Sequence, residues 1–290
     1  MLDVRLSRRV VDGYLVLQCS ESKWGVGEAV TDFLGALLPF WLQIVGAAVL
    51  GAIVGSFLGA ALVRLPEKRS VVTGRSACDG CGRALTIAEL IPVLSWLAQR
   101  GKCRTCGGPI GGWQLACELG GAAIAIGAVW LADAGLTLAA MLMGWQLLLL
   151  ALLDLRHLWL PRVLVGWLAA SGIAVVAAQA WAVGSFDPIL VSLTGGALGF
   201  GLLWLVAKVY LKSRGREGMG AGDPPLLGAI GLWLGPLGVV EVMLGASILG
   251  ILAAIVMLVS KRSIAADTAL PLGTCIAATA WPLFLLQGLG

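Results

Sequence analysis

Two aspartates in a strongly apolar chain pose the first chemical question. Asp154 lies in "LLLLALLDLRHLWLPRVLVG", after an unbroken run of leucine and alanine, and Asp223 lies in "GREGMGAGDPPLLGAIG", between a glycine run and two prolines. A carboxylate at membrane depth costs about 2.5 kcal/mol or more, so each is a functional candidate. Two carboxylates held close together cannot both ionise easily, and near neutral pH such a pair can hold one proton between them. The ionised member can take a proton from water as that water attacks a peptide carbonyl. The protonated member hydrogen-bonds the carbonyl and then protonates the leaving amine. This is aspartyl peptide hydrolysis, and it needs neither an activated serine nor a catalytic metal. His157 is the single histidine available as another base. Glu118 and Glu217 are the remaining acidic candidates, Glu118 being read as structural or substrate-orienting. The plainer alternatives are Asp223 as a helix cap and Asp154 as an ion-pair partner of Arg156, Arg162 or His157.

Four of the seven cysteines form a second constellation, Cys78-x-x-Cys81 and Cys103-x-x-Cys106, separated by 21 residues. Two such knuckles bring four thiolates to a tetrahedral centre of the kind zinc favours, and Gly82 and Gly107 permit the tight turns that follow. Four protein ligands leave no open position, so the expected metal is structural zinc rather than a catalytic ion. Cys19, Cys117 and Cys275 stand apart and read as small apolar packing residues.

The elements that must position these groups are membrane helices. The chain is 59% hydrophobic and only 12% charged, with mean hydropathy +0.95, where an ordinary soluble domain carries about 25% charged residues. Spans of about 20 apolar residues are expected at 36–62, 113–132, 137–155, 160–182, 188–211, 224–241, 242–260 and 268–288. The fold class is therefore all-α, a polytopic transmembrane bundle of about eight spans with a small zinc-knuckle insertion. Its divisions are a polar tail over 1–32, a first transmembrane helix over 33–63, the cysteine module over 64–112 and a transmembrane core over 113–290.

Lys and Arg gather in the module and in alternate loops, at Arg156 and Arg162, at Lys212, Arg214 and Arg216, and at Lys261 and Arg262. Loops near 133–136, 183–187 and 235–238 hold none, which places the module, Asp154 and Asp223 on the cytosolic face. The tail breaks this pattern with Arg5, Arg8, Arg9 and Lys23. The formal charge of +4 is absorbed by these loops, so the lipid bilayer is the expected partner and nucleic acid is not.

"GSFLGAALVRLP" at 55–66, the paired Cys-x-x-Cys motifs, "LLDLRHLWLP" at 152–161 and "GMGAGDPPLLGAIGLWLG" at 218–235 together resemble the type IV prepilin leader peptidase family, the Gly-x-Gly-Asp intramembrane aspartyl proteases. The resemblance runs in order over nearly all of the chain beyond residue 50. It implies Asp154 and Asp223 as the catalytic pair, with Gly220 and Gly222 supporting the motif. It also implies a bacterial inner-membrane enzyme that removes a short basic leader from prepilins or pseudopilins at the cytoplasmic face. Many members then methylate the new amino terminus from S-adenosylmethionine, and no residues are assigned to that cofactor. Three positions depart from the family pattern: Pro224 and Pro225 after the Gly-Asp, Arg162 after Pro161, and Arg156 at a frequent acidic site.

A proline following Asp223 suits a helix start, whose positive field favours an ionised carboxylate. Asp154 near a helix end feels the opposite field, so Asp223 is expected to act as base and Asp154 as acid. Two other classes remain open from the residues alone. In an ion or proton transporter the aspartates would form a relay, although acids clustered at one side make a poor pathway. A non-catalytic scaffold that binds pilin subunits is the other.

Overall fold

Apolar runs of this length become helices because backbone in lipid must satisfy its own hydrogen bonds. The computed structural model describes residues 6–11, 14–19, 39–71, 76–78, 80–216, 218–259 and 271–287. Arg5, Lys23, Arg75, Glu217, Lys261 and Arg262 lie outside the described residues. The helices are α1 (Phe40–Arg64), α2 (Leu94–Ala98), α3 (Gly112–Leu131), α4 (Thr137–His157), α5 (Arg162–Val183), α6 (Asp187–Arg214), α7 (Asp223–Val259) and α8 (Leu272–Gln287). All but α2 and α8 are long and apolar enough to cross a membrane, and α8 is a shorter apolar helix.

A feature the sequence reading did not anticipate precedes this body. Strands β1 (Leu6–Val11) and β2 (Tyr14–Cys19) pair antiparallel, with Leu6 opposite Cys19 and Val11 opposite Tyr14. The sequence signal is Asp12-Gly13 between them, a dipeptide favoured in two-residue hairpin loops.

The count of eight apolar segments is reached through α7, which doubles back. Gly235 has φ 70° and ψ −176°, outside the helical region and open to glycine. Val239 Cγ2 comes within 2.9 Å of where a Cβ on Gly231 would stand, whereas eight residues of continuous helix would separate them by about 12 Å. The reversal divides 223–234 from 236–259, not near 241 as the hydropathy pattern suggests. The reversal falls at the charge-free loop expected near 235–238, while hydropathy could not place the span boundary because both halves are apolar throughout.

Two seams of small residues hold the bundle, since close backbone approach replaces the hydrophobic drive that lipid cannot supply. In the first, α1 and α3 run antiparallel with Gly51 against Gly121 and Gly55 against Cys117 and Glu118. In the second, Gly195 of α6 meets Gly231 and Gly235, and Gly199 meets Leu227. Extending that second register sets Asp223 opposite Leu203, so α6 continues about three turns, roughly 16 Å, past it before ending at Arg214. Trp233 packs edge-on to Phe284 at 5.6 Å between ring centroids, tying α7 to α8.

Candidate functional site

Asp154 and Asp223 are both buried, although they sit on different helices far apart in sequence. Asp223 opens α7 and is held by its own loop: the Gly220 N–H donates to Asp223 Oδ2 at 3.1 Å, and the Asp223 N–H donates to the Gly220 carbonyl at 3.2 Å. Glycine at 220 leaves this closure unhindered, since a Cβ there would stand 3.2 Å from the same carboxylate oxygen. Asp154, one turn before the end of α4, reaches across to the start of α8. Its Oδ2 accepts the Thr274 N–H at 2.7 Å and the Thr274 hydroxyl at 3.1 Å, and that hydroxyl also lies 2.9 Å from the Ala151 carbonyl.

Leu160 joins the two halves. A Cβ on Gly222 would approach Leu160 Cβ to 2.6 Å, and one on Gly273 would approach Leu160 Cδ1 to 2.9 Å and Asp154 Oδ2 to 3.0 Å. The leucine thus fills a slot between the loop that carries Asp223 and the helix start that holds Asp154. The two carboxylates lie within electrostatic range of each other.

This geometry corrects one expectation. The helix-end position of Asp154 was to set it apart from Asp223, yet Asp154 also accepts a backbone N–H in the first turn of a helix, that of α8. Both carboxylates therefore face a positive helix N-terminus, and the predicted division into base and acid loses its basis. Among the described residues the ion pairs are Arg69–Glu67 and Arg83–Glu89, so Asp154 is not paired with Arg156, Arg162 or His157. The Arg156 guanidinium instead lies 6.0 Å from the ring of Trp113, and Arg162 and His157 are exposed. Glu118 takes a structural part: its carboxylate accepts the Val93 N–H at 2.7 Å and the Gln114 side-chain amide at 3.1 Å, linking the module to α3.

Thr274 is the site residue that sequence reasoning missed. Its only signal was position, three residues beyond Pro271 at the start of the last apolar segment, where a helix exposes unpaired N–H groups.

The cysteine module is built by repetition. In the first knuckle the Cys78 N–H donates to the Arg83 carbonyl and the Gly82 N–H to the Cys78 carbonyl. In the second, Cys103 bonds to Gly108 and Gly107 to Cys103 in the same sense. Gly82 and Gly107 have φ of 70° and 69°, the left-handed turn that the pattern predicts. The four Sγ atoms lie within 4.8 Å of one another, and Cys78 and Cys106 are 3.8 Å apart. A tetrahedron with metal–sulfur bonds of about 2.3 Å has edges of about 3.8 Å, so the four cysteines could hold a metal ion. Backbone N–H groups of Cys106 and Thr105 pull the Cys103 thiol down to about 6, toward the thiolate that a metal requires, while the neighbouring thiols push Cys106 up to about 11, as crowded sulfurs do without a cation between them. Around the knuckles, Glu89 accepts from Arg83 at 2.6 Å and from the Thr86 N–H at 2.9 Å. Its carboxyl is held down at about 2, with Arg83 the largest cause. A cavity of about 400 Å³ lies between the module and the ends of α1 and α3, lined by Arg64, Trp96, Trp113, Gln114 and Glu118 among others.

Comparison with known proteins covers both regions. Residues 49–132 match the bacterial peptidase A24 N-terminal domain, and residues 140–255 match the type IV leader peptidase family. The chain is 34% identical to a prepilin leader peptidase/N-methyltransferase of Burkholderia pseudomallei strain 1026b, over 84% of this chain and 85% of that protein. It is 32% identical to a protein of the same description from Aeromonas hydrophila, over 86% and 92% of the two chains. It is also 30% identical to a type 4 prepilin-like proteins leader peptide-processing enzyme of Escherichia coli O78:H11, over 84% and 94%. No solved structure matches the chain.

Proposed function

The chain belongs to the type IV leader peptidase family, and from that premise we propose an intramembrane aspartyl endopeptidase that removes the short basic leader of prepilins or pseudopilins. Asp154 and Asp223 are its catalytic pair. The observation that carries this reading is their convergence: two buried carboxylates within electrostatic range, Asp154 held by a backbone N–H in the first turn of α8 and Asp223 by one in the loop that leads into α7.

The anchoring has a chemical use. Asp223 Oδ2 and Asp154 Oδ2 are engaged by Gly220 and Thr274, which fixes both carboxyl planes and leaves the other oxygen of each for water and substrate. One carboxylate accepts a proton from water while the water oxygen bonds to the scissile carbonyl carbon. The other, protonated, hydrogen-bonds the developing oxyanion and then gives its proton to the leaving nitrogen as the carbon–nitrogen bond breaks. In this reading either carboxylate can fill either role. Leu160, Gly222 and Gly273 keep the pair in register.

The four cysteines hold a structural zinc, a closed site whose contribution is to fold the module. The enzyme lies in the bacterial inner membrane, with module and aspartates at the cytoplasmic face, as the Lys and Arg distribution supports. The names of the relatives from Burkholderia and Aeromonas include N-methyltransferase, so the reading extends to methylation of the new amino terminus. S-adenosylmethionine would supply the methyl group, and no residues are assigned to it.

The test is co-expression with a prepilin, comparing wild type with Asp154→Asn and Asp223→Asn. Loss of leader removal in both variants, with normal accumulation of protein in the membrane, is the expected result. Cleavage surviving in either variant overturns the pair. Uncut substrate with wild type would return the chain to the scaffold reading.

A further inference from the structure

The segment joining the two knuckles carries an apolar face that the zinc-knuckle reading does not use. Ile87, Ile91, Leu94 and Leu97 are 87%, 46%, 65% and 56% exposed. They follow a 3-10 turn (Ile87–Leu90) and the short helix α2. The opposite side of the segment, with Ser95, Trp96 and Gln99, faces the cavity described above. The segment is thus amphipathic, with its apolar side turned away from the protein.

Its depth can be read from one hydrogen bond. Val93, held at φ 62°, donates its N–H to Glu118 Oε2 at 2.7 Å. Glu118 stands six residues, about 9 Å, inside the start of α3. The same residue faces Gly55 of α1, which lies nine residues, about 14 Å, before the end of α1 at Arg64. Helical side chains lean toward the N-terminus, which brings the bond partway back along α3 but not level with Arg64. The segment is therefore tied at Val93 to a point on α3 that faces α1 below its basic end. Its backbone suits an apolar medium: the amides of Val93, Leu94, Ser95, Leu97 and Gln99 all donate within the protein. Directly after it, Arg100, Lys102 and Arg104 are exposed, where they can meet lipid phosphates.

We propose that residues 87–97 are a membrane-embedded wedge. Ile87, Ile91, Leu94 and Leu97 lie among the acyl chains of the leaflet at the Arg64 end of α1, with Arg100, Lys102 and Arg104 at headgroup level. The partner is the lipid surface itself, one carrying anionic phosphates. The module is then a half-immersed clamp beside α1 and α3 rather than a free cytosolic domain. This placement does not depend on the peptidase reading.

The test uses the unmodified protein in proteoliposomes of phosphatidylethanolamine and phosphatidylglycerol. A photoactivated carbene precursor carried within the acyl chains labels lipid-facing side chains, and hydroxyl radicals generated in water label solvent-facing ones. Both are mapped by mass spectrometry. The expected result is carbene addition on 87–97 at a level comparable with Val49 and Ile53 of α1, both exposed on a membrane helix, and radical oxidation confined to the stretch from Arg100 onward. Radical oxidation of Leu94 and Leu97 without carbene addition overturns the wedge. Protection from both reagents also overturns it, in favour of a protein partner or second copy covering the face. A nitroxide at position 94 or 97, introduced as an unnatural amino acid, gives an independent reading. There, collisions with oxygen must exceed those with a water-soluble nickel chelate, and the reverse must hold at position 102.

Discussion

The cysteine cluster and the aspartate site are built by opposite means. All four thiols come from 29 residues of chain, and each knuckle is closed by hydrogen bonds between residues no more than five apart. The aspartate site draws on three helix ends at residues 154, 223 and 274, and no local hydrogen bond brings them together. What aligns them is side-chain fit: Leu160 between Gly222 and Gly273, Trp233 against Phe284, and glycine seams along α6 and α7. A local site can be folded by the ion it binds. A distributed one depends on the packing of the whole bundle, and so it is vulnerable at positions that carry no chemistry.

The sharpest way to break the comparison is at the acids. Asp154→Asn and Asp223→Asn should each reduce leader cleavage by roughly 10²–10⁴-fold, the range for a lost general acid or base, with metal content unchanged. Cys103→Ser should do the converse. Metal content by atomic spectroscopy falls and the module becomes open to protease, while α4, α7 and α8 keep the carboxylates in place and cleavage falls less than in the aspartate variants. If Cys103→Ser costs as much cleavage as Asp223→Asn, the two regions are one cooperative unit and the contrast fails.

Packing is tested next. Gly222→Ala drives a methyl group into Leu160, and overpacking costs about 1–3 kcal/mol. Cleavage should fall, and Leu160→Ala added to Gly222→Ala should recover part of it; a double variant no better than the single shows that the slot does not align the pair. Thr274→Val removes the hydroxyl from Asp154 and keeps the backbone N–H, for a loss of about 1 kcal/mol. The expected readout is an altered pH profile of cleavage with normal membrane accumulation, and an unchanged profile removes Thr274 from the site.

The smallest effect lies in the module. With its carboxyl held down at about 2 from 4.5, Glu89 stays ionised above the ordinary carboxylate range, and its contribution is lost only as pH falls from there toward 2. Glu89→Gln should therefore speed proteolysis of the module by the same factor at pH 5 and at pH 7. A factor that vanishes already at pH 5 contradicts the depressed pKa.

What the residues revealed in advance follows the same division. The knuckles were legible because cysteine spacing and two following glycines encode a structure only a few residues across. The aspartates were legible as candidates because ionised groups are rare in apolar segments, but their anchoring was not. Thr274 became visible only when α8 met α4, a contact spanning 120 residues. The reversal at Gly235 was legible in part: a loop was expected near 235–238, but the span boundary was set at 241 because hydropathy reports burial in lipid and is blind to direction, and only the fold shows Val239 returning to Gly231. The helix-field argument for base and acid fell for a related reason. It weighed each carboxylate against its own helix, whereas Asp154 answers to a different one.

The overhang of α6 past Asp223 bears on supply. Hydrolysis consumes a molecule of solvent, and Asp223, one of the two carboxylates that would share its proton, begins a helix roughly 16 Å short of its neighbour's end. Solvent and a polypeptide to be cut would therefore reach Asp223 alongside the exposed last turns of α6. Bulky residues along 204–214 would then hinder that approach without touching either acid.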